Sequence, residues 1–231
     1  TLDTDCDNNT INNNILKRTF NLLVEHNGLQ LMNSHNNAIF NNSIYNHTNG
    51  KGIILEGNNN NITNNHVYDN QYGLYVNPAG TAEDNLIYNN FFNNSYRNAE
   101  DTQNNIWNTT MRPGTNIIGG SYIGGNYWSD YTGADINDDG IGDTITPYDE
   151  YIDNSGDFLP LTYGDIYVDD NASSGWYDET HVRTIQEGIN NASSGDNVVV
   201  WNGTYYENVE VNKSVTLDAN SSVFIDGMGG Y

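Results

Sequence analysis

NNAIFNNSIY, residues 36–45, and its echo NNNITNNHVY, residues 59–68, decide the fold. Each reads as two Asn-like residues, an aliphatic, a short polar gap and a further apolar residue. The same unit appears as NNTINNNIL at 8–16, EDNLIYNNFF at 83–92 and NNIW at 104–107. Its first apolar residues are Ile11, Ile39, Ile62, Leu86 and Ile106, at steps of 28, 23, 24 and 20. A second motif lies between them: Gly28-Leu29-Gln30-Leu31, Gly52-Ile53-Ile54-Leu55 and Gly73-Leu74-Tyr75-Val76, at steps of 24 and 21. Two interleaved motifs sharing one period mark a solenoid.

The apolar runs are three or four residues long, β-branched or aromatic, and bounded by Asn and Gly, which fits strands. Leucine-rich repeats share the period but need leucines at fixed offsets and helix formers on the convex side, and neither is present. Asn tolerates the left-handed backbone region and so suits tight corners. When corners stack coil on coil, Asn side chains can form hydrogen-bonded ladders. The expected fold is all-β: a right-handed parallel β-helix with three short strands per coil and Ile, Leu, Val and Phe inward.

Composition narrows the setting. Seven basic against 30 acidic residues give a net charge of −23. Like charges then argue against nucleic acid or anionic membranes as partners. Residues 126–231 carry 20 of the acids and two of the bases, so cations are expected to bind in that half. Cys6 is the single cysteine, which excludes an internal disulfide and a CxxC metal site. No apolar run approaches a membrane span. The 43 Asn, 17 Tyr and few bases suggest an extracellular or cell-surface protein. Eleven Asn-x-Ser/Thr sequons agree with that, Asn46, Asn93, Asn108, Asn171 and Asn202 being the candidates for glycosylation.

From Asn104 to Leu161 the pattern changes. The pieces Gly124-Gly125-Asn126-Tyr127-Trp128-Ser129-Asp130-Tyr131, Asp135 to Asp143, and Asp157-Phe158-Leu159-Pro160-Leu161 resemble the closing unit of NosD-type and other archaeal or bacterial surface β-helix proteins. The resemblance implies a Trp/Tyr-rich extension that plugs the end of a β-helix, and an archaeal envelope is the setting expected from it. Further on, Val182, Ile185 and Ile189 fall on one helix face behind a capping-box-like Thr184-x-x-Glu187. Strands are expected at Val198–Trp201, Glu207–Val211, Ser214–Asp218 and Val223–Asp226. The text from Thr180 to Ala219 resembles the N-terminal cap and first coil of a pectate-lyase-like β-helix. That resemblance implies an amphipathic helix covering a barrel end and a strand pair at NGTYYENV.

Three regions follow: coils over 1–108, an aromatic and Gly-rich terminator with a calcium loop over 109–164, and a linker, capping helix and first coils of a following β-helix over 165–231. A solenoid end followed by a solenoid start suggests head-to-tail self-association through unpaired strand edges, into a filament or sheath.

The chemistry is concentrated in DINDDGIGD. Asp135, Asn137, Asp139 and Asp143 stand at positions 1, 3, 5 and 9 of an EF-type loop, with Gly140 at 6 and the Ile141 carbonyl at 7. Hard oxygens at this spacing select Ca²⁺. Thr146 stands where the bidentate acid belongs, so Asp149, Asp153 or Asp157 would have to supply it. Trp107, Tyr122, Tyr127, Trp128 and Tyr131 could stack on surface glycans, but packing over the core end is the expectation. An enzyme of the polysaccharide lyase or hydrolase type is the alternative function. It needs a base beside carboxylate-bound Ca²⁺, or paired carboxylates on adjacent coils. Asp69, Glu83, Asp84, Glu56 and Glu25 do not recur at coil spacing, although Asp84 and Glu56 could meet. No catalytic residue is assigned. The five His, scattered along the chain, and three Met offer no copper site. The expected function is a non-catalytic, calcium-stabilised surface protein.

Overall fold

The computed structural model describes residues 6–18, 26–137, 139–178 and 180–227. They fall into two units, residues 137–140 and 118–120 grouping with the second unit and the rest of 6–162 with the first.

The first unit is a right-handed parallel β-helix. Three parallel sheets run along it, each adding one strand per coil. The first contains Thr10–Asn12, Ala38–Phe40, Asn61–Thr63 and Leu86–Tyr88. The second contains Ile15–Lys17, Ser43–Tyr45, His66–Tyr68, Phe91–Asn93 and Tyr127–Trp128, and the third Leu29–Leu31, Lys51–Leu55, Tyr72–Val76 and Arg97–Glu100. Register puts like over like. Ile39 pairs with Ile62 and Ile62 with Ile87; Ile44, Val67, Phe92 and Trp128 form the second row. Leu29, Ile53, Leu74 and Ala99 form the third. All are buried, Leu29 at 4% and Trp128 at 1% exposure and the rest at none, and all but Ala99 are large apolar side chains. Each such burial contributes roughly 1.5–3 kcal/mol.

Two of the periodic residues are corrected. Leu86 is half-buried and Ile106 is 52% exposed, whereas their neighbours Ile87 and Trp107 are fully buried. The last two units of the repeat carry two adjacent apolar residues, and pairing of Leu86 with Asn61 places the second one inside. The Gly-led motif has a steric cause. A Cβ on Gly28 would stand 2.6 Å from the Gly52 carbonyl, and one on Gly52 2.8 Å from the Gly73 carbonyl. Adjacent coils approach too closely there for any side chain.

The second unit has its own core of Ile166, Val168, Val182, Ile185, Ile189, Val198 and Val200. Asp165–Val168, Asn197–Val200 and Thr216–Ala219 form a parallel sheet with His181–Val182 at its other edge; Gly203–Tyr205 pairs with Val223–Ile225. The helix Ile185–Asn191 is capped by Thr184, whose hydroxyl accepts from the Glu187 amide at 3.1 Å. Val182 belongs to the preceding strand rather than to the helix. The expected strand Glu207–Val211 is absent. Instead, the Glu207 carboxylate turns back and accepts from the amides of Ile185 at 2.8 Å and Gln186 at 2.9 Å. Two orphan donors of the first turn are thereby satisfied. Strand pairing in NGTYYENV is made by Gly203–Tyr205 with the later strand Val223–Ile225.

Candidate functional site at the end of the coil

Most Asn pairs of the repeat divide their labour. The first residue takes the corner with positive φ: Asn36 (57°), Asn41 (56°), Asn59 (59°), Asn64 (55°), Asp69 (54°), Asp84 (59°) and Asn89 (54°). The second turns inward and joins a ladder. In the first ladder the amide of Asn9 donates to Asn37 Oδ1, Asn37 to Asn60, Asn60 to Asn85 and Asn85 to Asn105, at 2.8–3.2 Å. The second runs Asn14, Asn42, Asn65, Asn90, Asn126, at 2.9–3.1 Å. The third runs Asn70, Asn94, Asn98. Every rung is doubled by the backbone N–H of the donating residue, as when Asn42 N reaches Asn65 Oδ1 at 3.0 Å.

All three ladders point their amide NH₂ groups the same way, and all three end on a carboxylate. Asn105 donates to Asp101 Oδ2 at 3.0 Å, Asn126 to Asp157 Oδ2 at 3.3 Å, and Asn98 to Asp130 Oδ1 at 2.7 Å. A column of aligned amide dipoles presents its positive end there, as a helix does at its N-terminus. Each carboxylate also takes one aromatic donor: Trp107 Nε1 to Asp101 at 3.1 Å, Trp128 Nε1 to Asp157 at 2.9 Å, and Tyr148 OH to Asp130 at 3.0 Å. The donor rings form one plug. Trp128 stacks on Phe92 at 4.8 Å and on Tyr148 at 4.2 Å, with Trp107 tilted against it at 5.5 Å. Trp107 and Trp128 are fully buried, so the packing reading of these rings holds. The Gly-Asn-Tyr-Trp segment is the last rung of the second sheet, with Asn126 on the ladder of Asn90 and Trp128 over Phe92. Gly125 is required because a Cβ would collide with the Asp157 carboxylate.

Burial pushes the Asp157 carboxyl up to about 6, against the hydrogen bonds from Asn126, Trp128 and Leu159 that pull it down. Burial likewise raises Asp101, against bonds from Gln103, Asn105 and Trp107. Burial, then the Asp130 charge, pushes the Tyr148 phenol far up. Asp101 and Asp130 were not expected as site residues, and Asp157 only as one candidate for the last calcium ligand. A signal was present: the Asn rungs recur, and Trp107 and Trp128 each stand two residues after the last rung of a ladder.

A family model described as periplasmic copper-binding protein (NosD) matches residues 1–133. The chain belongs to this family. Neither a curated protein nor a solved structure matches it.

The NosD description names copper, but the described donors of this chain are not arranged for that ion. Among the described residues no three of His, Cys, Asp and Glu gather around a common point. The histidines serve other contacts. His35 Nδ1 accepts from the Asn58 amide at 2.9 Å, and His47 Nδ1 contacts the His26 carbonyl at 3.1 Å. His66 lies against Phe91, and His181 Nδ1 lies 3.0 Å from Asp178. Burial lowers His47 and His66.

The described residues of the 135–143 loop make these bonds within their own units. Asp143 Oδ2 accepts from the Ile136 amide at 2.8 Å, and Asp135 Oδ2 from the Thr162 hydroxyl at 3.4 Å. Ile141 is buried and bridges Leu161. Asn137 and Asp139 group with the second unit, where Asn137 Oδ1 accepts from the Asp139 amide at 3.2 Å. Of the coil-face acids, Glu56 accepts from Asn77 at 2.7 Å and Asp69 and Asp84 hold corners. Glu25 lies outside the described residues. Asn46, Asn93, Asn171 and Asn202 are exposed; Asn108 is half-buried and accepts from the Phe158 amide at 3.3 Å.

Proposed function

We propose that the chain is a non-catalytic structural protein of the cell envelope, acting outside the cytoplasm. The observation that carries this reading is the use of the three terminal aspartates. Each takes a ladder amide and an aromatic donor, and Asp101 and Asp157 are buried, so these two seal the solenoid rather than face a substrate. The periplasmic location in the family description and the charge of −23 support the setting. No described helix is long and apolar enough to cross a membrane. Cell fractionation with immunogold labelling tests the location; a cytoplasmic pool would refute it. Incubation with uronic-acid polymers, with and without Ca²⁺, tests the chemistry. Product release that Asp84→Ala or Glu56→Ala abolishes would favour the enzyme.

Three narrower proposals accompany this one. Ca²⁺ binds the 135–143 loop, on the strength of its oxygen spacing, at roughly 10⁻⁴–10⁻³ M. Chelation then lowers Tm and Asp135→Ala removes that effect; an unchanged melt refutes it. Copies associate head to tail, since Thr216–Ala219 lies at a sheet edge with Leu217 and Phe224 exposed. Light scattering showing only monomers at high concentration refutes that. Glycans sit on the exposed sequons Asn46, Asn93, Asn171 and Asn202, which intact-mass measurement before and after deglycosylation decides.

A further inference from the structure

A cleft of about 340 Å³ opens in the first unit beside the Asp130 cap. That volume is within the range of small-molecule sites. Four tyrosines and three carboxylates are among its lining residues, and neither Lys nor Arg is. Tyr148 and Asp130 form its fixed side, because the Tyr148 hydroxyl and the Asn98 amide both bond Asp130 Oδ1. Tyr96 and Tyr151 stand at the solvent side, 58% and 46% exposed, with Glu150 next in the chain to Tyr151. These two rings already hold a cation on one face: the Arg97 guanidinium lies 3.9 Å from the Tyr151 centroid and 4.9 Å from that of Tyr96. Arg97 is matched by its ion pair with Glu100, so the carboxylates of Asp130, Asp149 and Glu150 are left in excess around the cleft.

The backbone marks the same place. Among the described residues other than glycine with positive φ, all but two are Asn or Asp, the types that tolerate it. The two exceptions are Ile145 at 53° and Tyr151 at 61°, and both line this cleft. Strained non-glycine backbone of this kind clusters at ligand sites.

Three surplus carboxylates repel anions, and tyrosine faces attract cations through the ring quadrupole. We propose that this cleft binds an organic ammonium group, held against the faces of the Tyr96 and Tyr151 rings that Arg97 does not cover and by the carboxylates of Asp130 and Glu150.

Titration of the full chain with tetramethylammonium chloride at low ionic strength, followed by calorimetry, tests it. Saturable binding in the millimolar range or tighter is expected. Tyr151→Asn removes the ring while keeping a residue that tolerates the left-handed backbone, so the fold is kept, as an unchanged melt will confirm. It is expected to weaken binding about tenfold. Glu150→Gln is expected to weaken it about threefold and to flatten its salt dependence. A parallel arm with phosphatidylcholine vesicles separates a lipid headgroup from a free ammonium ligand, and binding in either form supports the assignment. No saturable binding by the folded protein overturns it. So does binding that Tyr151→Asn leaves intact, or binding of glucose or N-acetylglucosamine in place of the ammonium.

Discussion

Replacing Asn65 by Ala tests the ladders where they are most enclosed. Asn65 is fully buried in the middle of the second ladder. Its side chain makes five hydrogen bonds: Oδ1 accepts from Asn42 N at 3.0 Å and Asn42 Nδ2 at 2.9 Å, and Nδ2 donates to the Ile39 and Thr63 carbonyls at 2.9 Å and to Asn90 Oδ1 at 3.0 Å. Alanine removes all five. The effects differ by partner. Asn42 Nδ2 keeps the Ile11 and Phe40 carbonyls, and Asn90 Oδ1 keeps the backbone N–H of residue 65. The Asn42 backbone N–H loses the acceptor that held it inside the coil. Three or four effective losses at a net of about 1 kcal/mol each, with a desolvation penalty for the stranded N–H, give about 3–5 kcal/mol. For a chain of this size that is a fall in Tm of about 10 °C. Urea unfolding followed by the emission of buried Trp107 and Trp128 reads the first unit. Asn65→Asp at neutral pH is expected to be worse than Ala, because it sets an oxygen against the Ile39 and Thr63 carbonyls. A loss below about 1 kcal/mol for Asn65→Ala would refute the ladder argument.

Asp157→Asn isolates the buried carboxyl. Its folded pKa, raised to about 6 from an ordinary 3.8, means that the folded state holds the proton more tightly. Stability from this group is therefore full below about pH 4 and lost as pH rises through about 6, by roughly 3 kcal/mol. The wild type is expected to gain that much relative to Asp157→Asn between pH 7 and pH 4; an equal difference at both pH values refutes the assignment. Glu207→Ala strands the Ile185 and Gln186 amides and is expected to cost the second unit about 1–2 kcal/mol, read by far-UV circular dichroism against urea. Gly125→Ala drives a methyl into the Asp157 carboxylate and is expected to unseat Trp128, seen as a red shift in emission; an unshifted spectrum counts against the cap.

The coils were legible because their signal is repeated: one wrong residue in Leu86 or Ile106 does not move a period shared by five units. The cap was less legible because its parts are single and far apart in sequence. Asp157 meets Asn126 across 31 residues and Asp101 meets Trp107 across six, and no spacing rule joins the two. What joins them is a requirement rather than a pattern. A stack of amides donating in one direction must end on an acceptor, and at this coil end a carboxyl group supplies it. Glu207 follows the same logic at a smaller scale, since the expected strand there yields to the orphan amides of the helix start. Wherever the Asn rungs of such a coil stop, the next buried Asp in space, with an aromatic N–H or O–H beside it, is the residue to look for. The acids of DINDDGIGD are dense in sequence, yet the acids that close this coil, Asp101, Asp130 and Asp157, lie outside it.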